Sequence, residues 1–441
     1  MLVAPRVPRV IDDDTSTPSR PAHTGRVLVL LAPRSRTAAP RAFRSVAGIT
    51  PSDTIVLPTL GVAIIAADPD QARALSVAAT SSDRPEILLA EPERRVWAWS
   101  EYLNGYRDGV ADLADRLTRR GDEVGVAASW ADTDAYTWGL QATGVAAAGD
   151  AVGEGSKVAV LDTGIDRDHP DVSGRAGLTV ESFIEGEDAG DGNGHGTHTS
   201  GIAGGPLQPA EGPRYGVAPA CQLFVGKVLG DDGSGSDGEI LSGIEWAVGN
   251  GCGVVSMSLG AATEPDEPYS AVFETVAQRA MTAGTLLVAA AGNESQRRSG
   301  VVAPVGHPAN CPSILAVGAV DRTERIADFS CGTVGPVGQV DIAAPGVAVR
   351  SAWAGEERYK VVSGTSMATP HVAGLAAVLA AAHGVTDPRQ LGFLLLLHAR
   401  RLALASTDVG AGMASWRPPE PEPPRAAGRA RRVTNQRRTT R

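Results

Sequence analysis

Two hydrophobic rhythms divide the chain. Over residues 26–99, short apolar runs flank two helical patterns. Arg26–Leu31, Thr54–Leu57, Val62–Ala66, Glu86–Ala90 and Val96–Trp99 read as strands. Pro40–Ala47 reads as a helix that carries its proline in the first turn. Asp68–Thr80 reads as a second helix, with Ala72, Leu75 and Ala78 on one face. The spacing predicts a small α+β unit of ~75 residues, a common size for a small domain. Glu101–Thr118 sets Leu103, Val110, Leu113 and Leu117 at roughly helical spacing. Residues 100–135 therefore read as one amphipathic helix and a polar linker.

Beyond residue 136 the pattern changes. Apolar, β-rich runs alternate with helical ones: Lys157–Leu161, His198–Ala203, Leu223–Val228, Glu239–Val248, Gly253–Met257, Ala271–Ala283 and Leu286–Ala290. Strands that are apolar on both faces belong in a sheet covered on both sides. The prediction for residues 136–405 is an α/β domain, a mainly parallel sheet with helices on both faces. Gly164, Gly196, Gly260 and Gly292 fall at or near element ends, where open α/β sheets build their sites. Residues 1–25 carry no apolar period and read as disordered, as do the Pro- and Arg-rich residues 406–441.

Composition narrows the classes. The chain is 43% hydrophobic and 20% charged, as globular proteins are. Its net charge of -10 argues against a nucleic-acid-binding body. The seven arginines of residues 425–441 read as a solvated tail. Four cysteines, Cys221, Cys252, Cys311 and Cys331, form no CxxC pair, so they suggest buried thiols rather than a zinc site; the count leaves room for one or two bridges. No secretory leader pattern precedes the first apolar run, and Ala373–Ala382 is too short to span a bilayer. The expectation is a soluble monomer without membrane or nucleic-acid partners, its compartment open.

Three glycine-rich motifs carry the chemistry. Val158-Ala-Val-Leu-Asp162-Thr-Gly164 ends an apolar strand on a carboxylate. Asp-Thr-Gly also serves aspartic proteases, but no second copy occurs. Gly192-Asn-Gly-His195-Gly-Thr-His198 brackets a histidine with glycines that admit close backbone approach. The His195/His198 spacing is open to a metal, yet no third ligand is evident. Ser363-Gly-Thr-Ser366-Met-Ala-Thr-Pro370 places a serine before an apolar helix, where helix dipole and free amides favour developing negative charge. A serine needs a base, and the base needs a carboxylate that fixes its tautomer. One candidate for each role occurs, in the order Asp, His, Ser.

These motifs resemble the three active-site signatures of the subtilase family, peptidase S8. The resemblance implies a serine endopeptidase using Asp162, His195 and Ser366 through an acyl-enzyme. Val288-Ala-Ala-Ala-Gly292-Asn293 resembles the family's oxyanion segment and implies Asn293 as the side-chain donor. Ser258-Leu259-Gly260 and Ala290-Ala291-Gly292 resemble the two walls of the primary pocket, and Gly306 its floor. Gly233-Ser234-Gly235 resembles the edge that binds substrate by strand addition. That segment also matches GxGxxG, but the following strand offers no acid for a ribose. A glycine floor implies broad preference for large apolar residues, with Glu294 at the rim tolerant of a basic one. His307-Pro308 is a candidate cis peptide.

The resemblance extends to partners. The unit at 26–99 is similar to the family's prodomain, an intramolecular inhibitor of a self-processed precursor, with the cut between Ala98 and Thr137. Polypeptides are the implied substrates. No cofactor is required for the chemistry. The resemblance allows a structural calcium at Asp171 and Asp134, against the alternative of two surface acids. An inactive subtilase scaffold and an esterase on the same fold are the rival functions.

Overall fold

The computed structural model describes residues 22–33, 39–50, 54–82, 84–98, 129–149 and 152–417. The helix expected over 101–118 lies outside them.

The N-terminal unit is an α+β sandwich. Its elements are β1 (His23–Leu31), α1 (Ala39–Ala47), β2 (Thr54–Leu57), β3 (Val62–Ala66), α2 (Pro69–Ala79) and β4 (Ile87–Ala98). Asp68 starts α2 with a capping box: its carboxylate accepts from Asp70 N and Gln71 N, and Gln71 reaches back to Asp68 N. All pairings among β1–β4 are antiparallel, in the order β4-β1-β3-β2. One correction concerns β4. The two strands expected at Glu86–Ala90 and Val96–Trp99 are a single one, because Glu91–Arg95 pairs through despite its polarity.

The larger domain begins with α3 (Trp138–Ala142), whose Trp138 is fully buried. Then come β5 (Lys157–Asp162), β6 (Leu178–Ser182), α4 (His195–Gly204), β7 (Gln222–Lys227), β8 (Ser234–Ser236), α5 (Asp237–Gly249), β9 (Val254–Met257) and β10 (Leu259–Gly260). They are followed by α6 (Ala271–Ala283), β11 (Leu286–Ala290), β12 (Leu315–Val320) and β13 (Ile342–Pro345). The chain continues through β14 (Val349–Ala352), β15 (Tyr359–Val362), α7 (Thr365–His383), α8 (Pro388–His398) and α9 (Ser406–Val409). The main sheet runs β13-β12-β11-β9-β5-β7-β6, every pair parallel. Its central strands are buried along nearly their whole length, as strands covered on both faces must be. One apolar cluster lies on the α4/α7 side and another on the α5/α6 side. Helix α7 is long and apolar enough to cross a membrane by length and composition, but 83% of that window is buried inside the fold.

Residues 406–417, expected within a disordered tail, are folded. Val409, Met413 and Ala414 are buried, and Ala343 N donates to Gly412 O at 2.9 Å, so this segment pairs with β13. Its few apolar residues gain order from a surface that only the finished domain provides. All four cysteines are buried free thiols.

The two parts share one core and one sheet. Leu28, Leu30, Leu60, Ile64 and Val96 pack in the same cluster as Ile240, Leu241, Val272 and Phe273. Polar contacts run both ways across the seam. Glu93 accepts from Ser236 Oγ (3.0 Å) and Gly238 N (2.9 Å) at the start of α5. Glu91 accepts from Ser270 Oγ (2.6 Å) and Ala271 N (2.9 Å) at the start of α6. Carboxylates there satisfy orphan amides and meet the positive end of the helix dipole. In return Glu245 of α5 accepts from Thr59 N (2.7 Å) and Leu60 N (2.8 Å), and Arg279 of α6 donates to Leu31 O at 3.0 Å. Glu93 is fully buried and paired with Arg26 at 2.5 Å. Removing Glu93 takes the acceptor from Gly238 N at the start of α5, while Arg26 keeps Glu239 at 2.6 Å. Glu93→Ala is therefore expected to cost about 2 kcal/mol, read as a lower unfolding midpoint in urea.

Candidate active site

Three neighbouring strands, β11, β9 and β5, end side by side, and the candidate residues stand at those ends. Asp162 is the last residue of β5, Ser258 follows β9, and Ala291–Asn293 follow β11. Helices α4 and α7 pack together over the sheet and bring His195 and Ser366 to the same edge.

Asp162 and His195 are both fully buried, and His195 Nδ1 lies 2.7 Å from Asp162 Oδ1. Two further donors hold the carboxylate: Thr163 N on Oδ1 at 2.8 Å and Thr199 Oγ1 on Oδ2 at 3.0 Å. With Asp162 fixed as acceptor, Nδ1 carries the proton and Nε2 presents its lone pair. Nε2 is buried and has no hydrogen-bond partner among the described residues. Close approach makes this geometry possible. A Cβ on Gly196 would fall on the Gly164 carbonyl, so α4 can reach the β5 turn only with glycine there.

Burial pulls the His195 pKa down. The charge of Asp162, the hydrogen bond to it and the charge of Asp191 push it up, and the net displacement is upward from 6.5. Asp191 is a site residue that the sequence reading missed. It accepts Thr163 Oγ1 (2.8 Å) and Gly194 N (2.7 Å) on one oxygen, and Thr197 N (2.8 Å) and Thr197 Oγ1 (2.6 Å) on the other. It thus satisfies the open N-terminus of α4 that presents His195. Thr199 was missed as well, although its spacing of four from His195 sets both on one helix face. His198 is buried, its Nε2 on Lys360 O at 3.1 Å and its pKa pushed by burial down to about 3. It stays neutral, and no group of three or more His, Cys, Asp or Glu among the described residues is placed to hold a metal.

Ser366 is the second residue of α7 and buried. Pro370, four residues on, has no N–H, so the Ser366 carbonyl loses its ordinary helical partner. Ser258 Oγ donates to that carbonyl at 2.9 Å, and Ser366 Oγ donates back to Ser258 O at 3.2 Å. The Ser366 hydroxyl is therefore turned toward Ser258, and no hydrogen bond joins it to His195. Asn293 Oδ1 accepts from Thr365 N (3.0 Å) and Thr365 Oγ1 (2.8 Å). That double anchor fixes the amide orientation and aims Nδ2 away from Thr365. Gly292 N donates to Thr365 Oγ1 at 3.3 Å, and Gly306 N to Ala291 O at 2.9 Å, so the segment at Gly292 lies beside α7 and Gly306 lies beside that segment. The peptide His307–Pro308 is cis.

Other expectations are met differently. Glu294 turns inward: its Oε2 accepts from Asn293 N at 2.9 Å and from the Cys331 thiol at 3.2 Å. The GxGxxG segment is a sheet edge: β8 pairs antiparallel with β4, and Gly233 O accepts Ala98 N at 2.9 Å. On its other side β4 pairs with β10, Ala98 opposite Leu259 and Trp97 opposite Gly260. The end of β4 thus lies as a middle strand between the two segments.

Asp171, where the resemblance allows a calcium, is engaged by hydrogen bonds within the fold. Asp171 Oδ2 accepts from Tyr215 OH (2.6 Å) and Tyr359 OH (2.9 Å), and Oδ1 from Ala210 N (2.6 Å). Burial, then the bond to Asp171, pushes the Tyr359 hydroxyl up to about 12, so it remains a donor. Arg350 stacks 4.3 Å from the Tyr359 ring and donates to Glu211 O at 3.2 Å, adding a fixed positive charge. Asp134 is exposed in a bend.

Fold and cluster together define a class: an α/β protein whose sheet edge gathers a buried Asp–His pair and a serine at a helix N-terminus. Comparison with known proteins narrows the class. The model of the subtilase family, peptidase S8, matches residues 153–414, and the chain belongs to that family. It is 43% identical over 233 residues to Subtilisin NAT of Bacillus subtilis subsp. natto, covering 52% of this chain and 57% of that protein. It is 42% identical over 233 residues to Subtilisin of Bacillus pumilus, covering 52% of this chain and 78% of that protein. It is 44% identical over 228 residues to Thermostable alkaline protease of Halalkalibacterium halodurans, covering 52% of this chain and 57% of that protein. The chain thus spans a little over half the length of the first of these relatives.

Thermal unfolding in EDTA and in millimolar calcium is expected at one midpoint, since the Asp171 oxygens already have their donors. A calcium-dependent rise would make Asp171 a ligand after all.

Proposed function

We propose that the chain is a serine endopeptidase acting through Asp162, His195 and Ser366. The observation that carries this reading is the end of β4. It runs antiparallel between β8 and β10, in extended pairing, beside Ser258 and Ser366. A substrate main chain binds such an edge by the same hydrogen bonds.

In the reaction, Ser366 Oγ leaves Ser258 O and gives its proton to His195 Nε2 as the oxygen attacks the scissile carbonyl. Asp162, held by Thr199 and Thr163 N, keeps Nδ1 protonated and stabilises the imidazolium. The tetrahedral oxyanion is met by Asn293 Nδ2 and the Ser366 backbone N–H. His195 then protonates the leaving amine, an acyl-enzyme forms on Ser366, and water reverses the sequence. No cofactor enters these steps. Substrates are polypeptides. Gly306 puts no side chain on the floor between Ser258–Gly260 and Ala290–Gly292, which favours a large apolar residue. The N-terminal unit is an intramolecular inhibitor, cut from a precursor by the enzyme itself.

Ser366→Ala is expected to abolish casein hydrolysis and labelling by a fluorophosphonate. Intact-mass analysis should find a new N-terminus between Ala98 and Thr137 in the wild type only. An alanine variant that cuts casein at the wild-type rate would overturn the assignment. The His195 base must be neutral to act, and its pKa is raised. Activity should therefore be lost as pH falls through a midpoint above the ordinary value of about 6.5, measured as kcat/KM against pH.

A further inference from the structure

The ladder between β4 and β8 runs Trp97–Ser234, Val96–Gly235, Arg95–Ser236 and then stops, because the next residue, Asp237, begins helix α5. The next amide of β4, Arg94 N, nevertheless has an acceptor. It donates to Asp237 Oδ2 at 3.0 Å, so a side-chain carboxylate extends the ladder by one bond. The other oxygen, Oδ1, lies 2.9 Å from His307 Nε2. His307 in turn exchanges both backbone hydrogen bonds with Ala261, the residue after β10, each at 2.9 Å. The Asp237–His307 pair therefore ties together the two strands that flank β4, at the upstream end of the cleft. It is buried, at 0% and 1% side-chain exposure, and Phe273 of α6 braces the imidazole edge-to-face at 4.6 Å. Nothing in the triad chemistry uses this pair.

We propose that Asp237, oriented by His307, anchors the backbone of extended polypeptide substrates at the position that Arg94 now occupies, four residues upstream of Ala98. This rests on the endopeptidase reading and adds a length requirement to it. Substrates whose main chain reaches Asp237 gain one charge-assisted hydrogen bond; shorter ones leave that carboxylate oxygen to water. Side-chain identity matters less there, although Glu267, 3.7 Å from the Arg94 guanidinium, suits a basic residue. The contact lies far from the reacting bond, so it acts through KM rather than kcat.

The test uses two peptides that carry the sequence of β4 continued through residue 104, so that they span a cleavable bond, assayed on the enzyme as purified from the full chain. In one, the amide at the Arg94 position is replaced by an ester, which removes only that N–H. The amide peptide should show kcat/KM about tenfold or more above the ester peptide, as a hydrogen bond to a charged group predicts, with the difference in KM. Asp237→Ala should erase the difference between the two peptides. Equal kcat/KM for both peptides on the wild type overturns the anchor and leaves the endopeptidase reading intact. Turnover of neither overturns that reading and the anchor with it. The wild-type comparison needs no variant, so a poorly folded Asp237→Ala does not weaken it.

Discussion

The contact on which the site depends is the approach of helix α4 to the turn after β5. There Gly196 meets the Gly164 carbonyl with no side chain between them, and His195 closes on Asp162. Both side chains are removed from water, which is costly for an ion and its partner unless every oxygen and proton is matched. The matching is supplied locally, by Thr163 N and Thr199 Oγ1 on Asp162, and by Asp191 beneath the start of α4. The glycines and threonines of these motifs are thus part of the same device as the Asp and His.

A second consequence follows on the serine side. Pro370 interrupts the helical bonding of α7 at the Ser366 carbonyl, and Ser258 fills the gap from the end of β9. That one exchange couples the nucleophile candidate to the strand that also forms the wall of the cleft. Thr365 does the same for Asn293, taking both of its own donors to the amide oxygen. Ser258, Gly292, Asn293 and the start of α7 are consequently one hydrogen-bonded unit.

Such open edges are a hazard in any protein, since they invite strand addition. Here β4 covers them, and Glu91 and Glu93 satisfy the helix starts on either side. The polar middle of β4 looked like a break between two strands because its residues serve the seam rather than a core. Polarity along a strand reports its neighbours, and those neighbours lie far away in the chain.

The sequence by itself determined the α/β class, the parallel strands and the glycine-rich motifs of Asp162, His195 and Ser366 that the fold gathers at one sheet edge. These rest on local signals: apolar runs, turn glycines and a proline at fixed spacing. Tertiary structure decided the rest. Asp171 is open in the sequence between a calcium ligand and a surface acid; the fold buries it and brings Tyr215 and Tyr359 to it from distant elements. Residues 406–417 read as a tail until β13 gives them a partner. Asp191 carries no motif at all, and the patterns that contain Asp237 and His307 do not name their partners, for a carboxylate's role depends on which donors surround it. Only the folded chain brings those donors within reach.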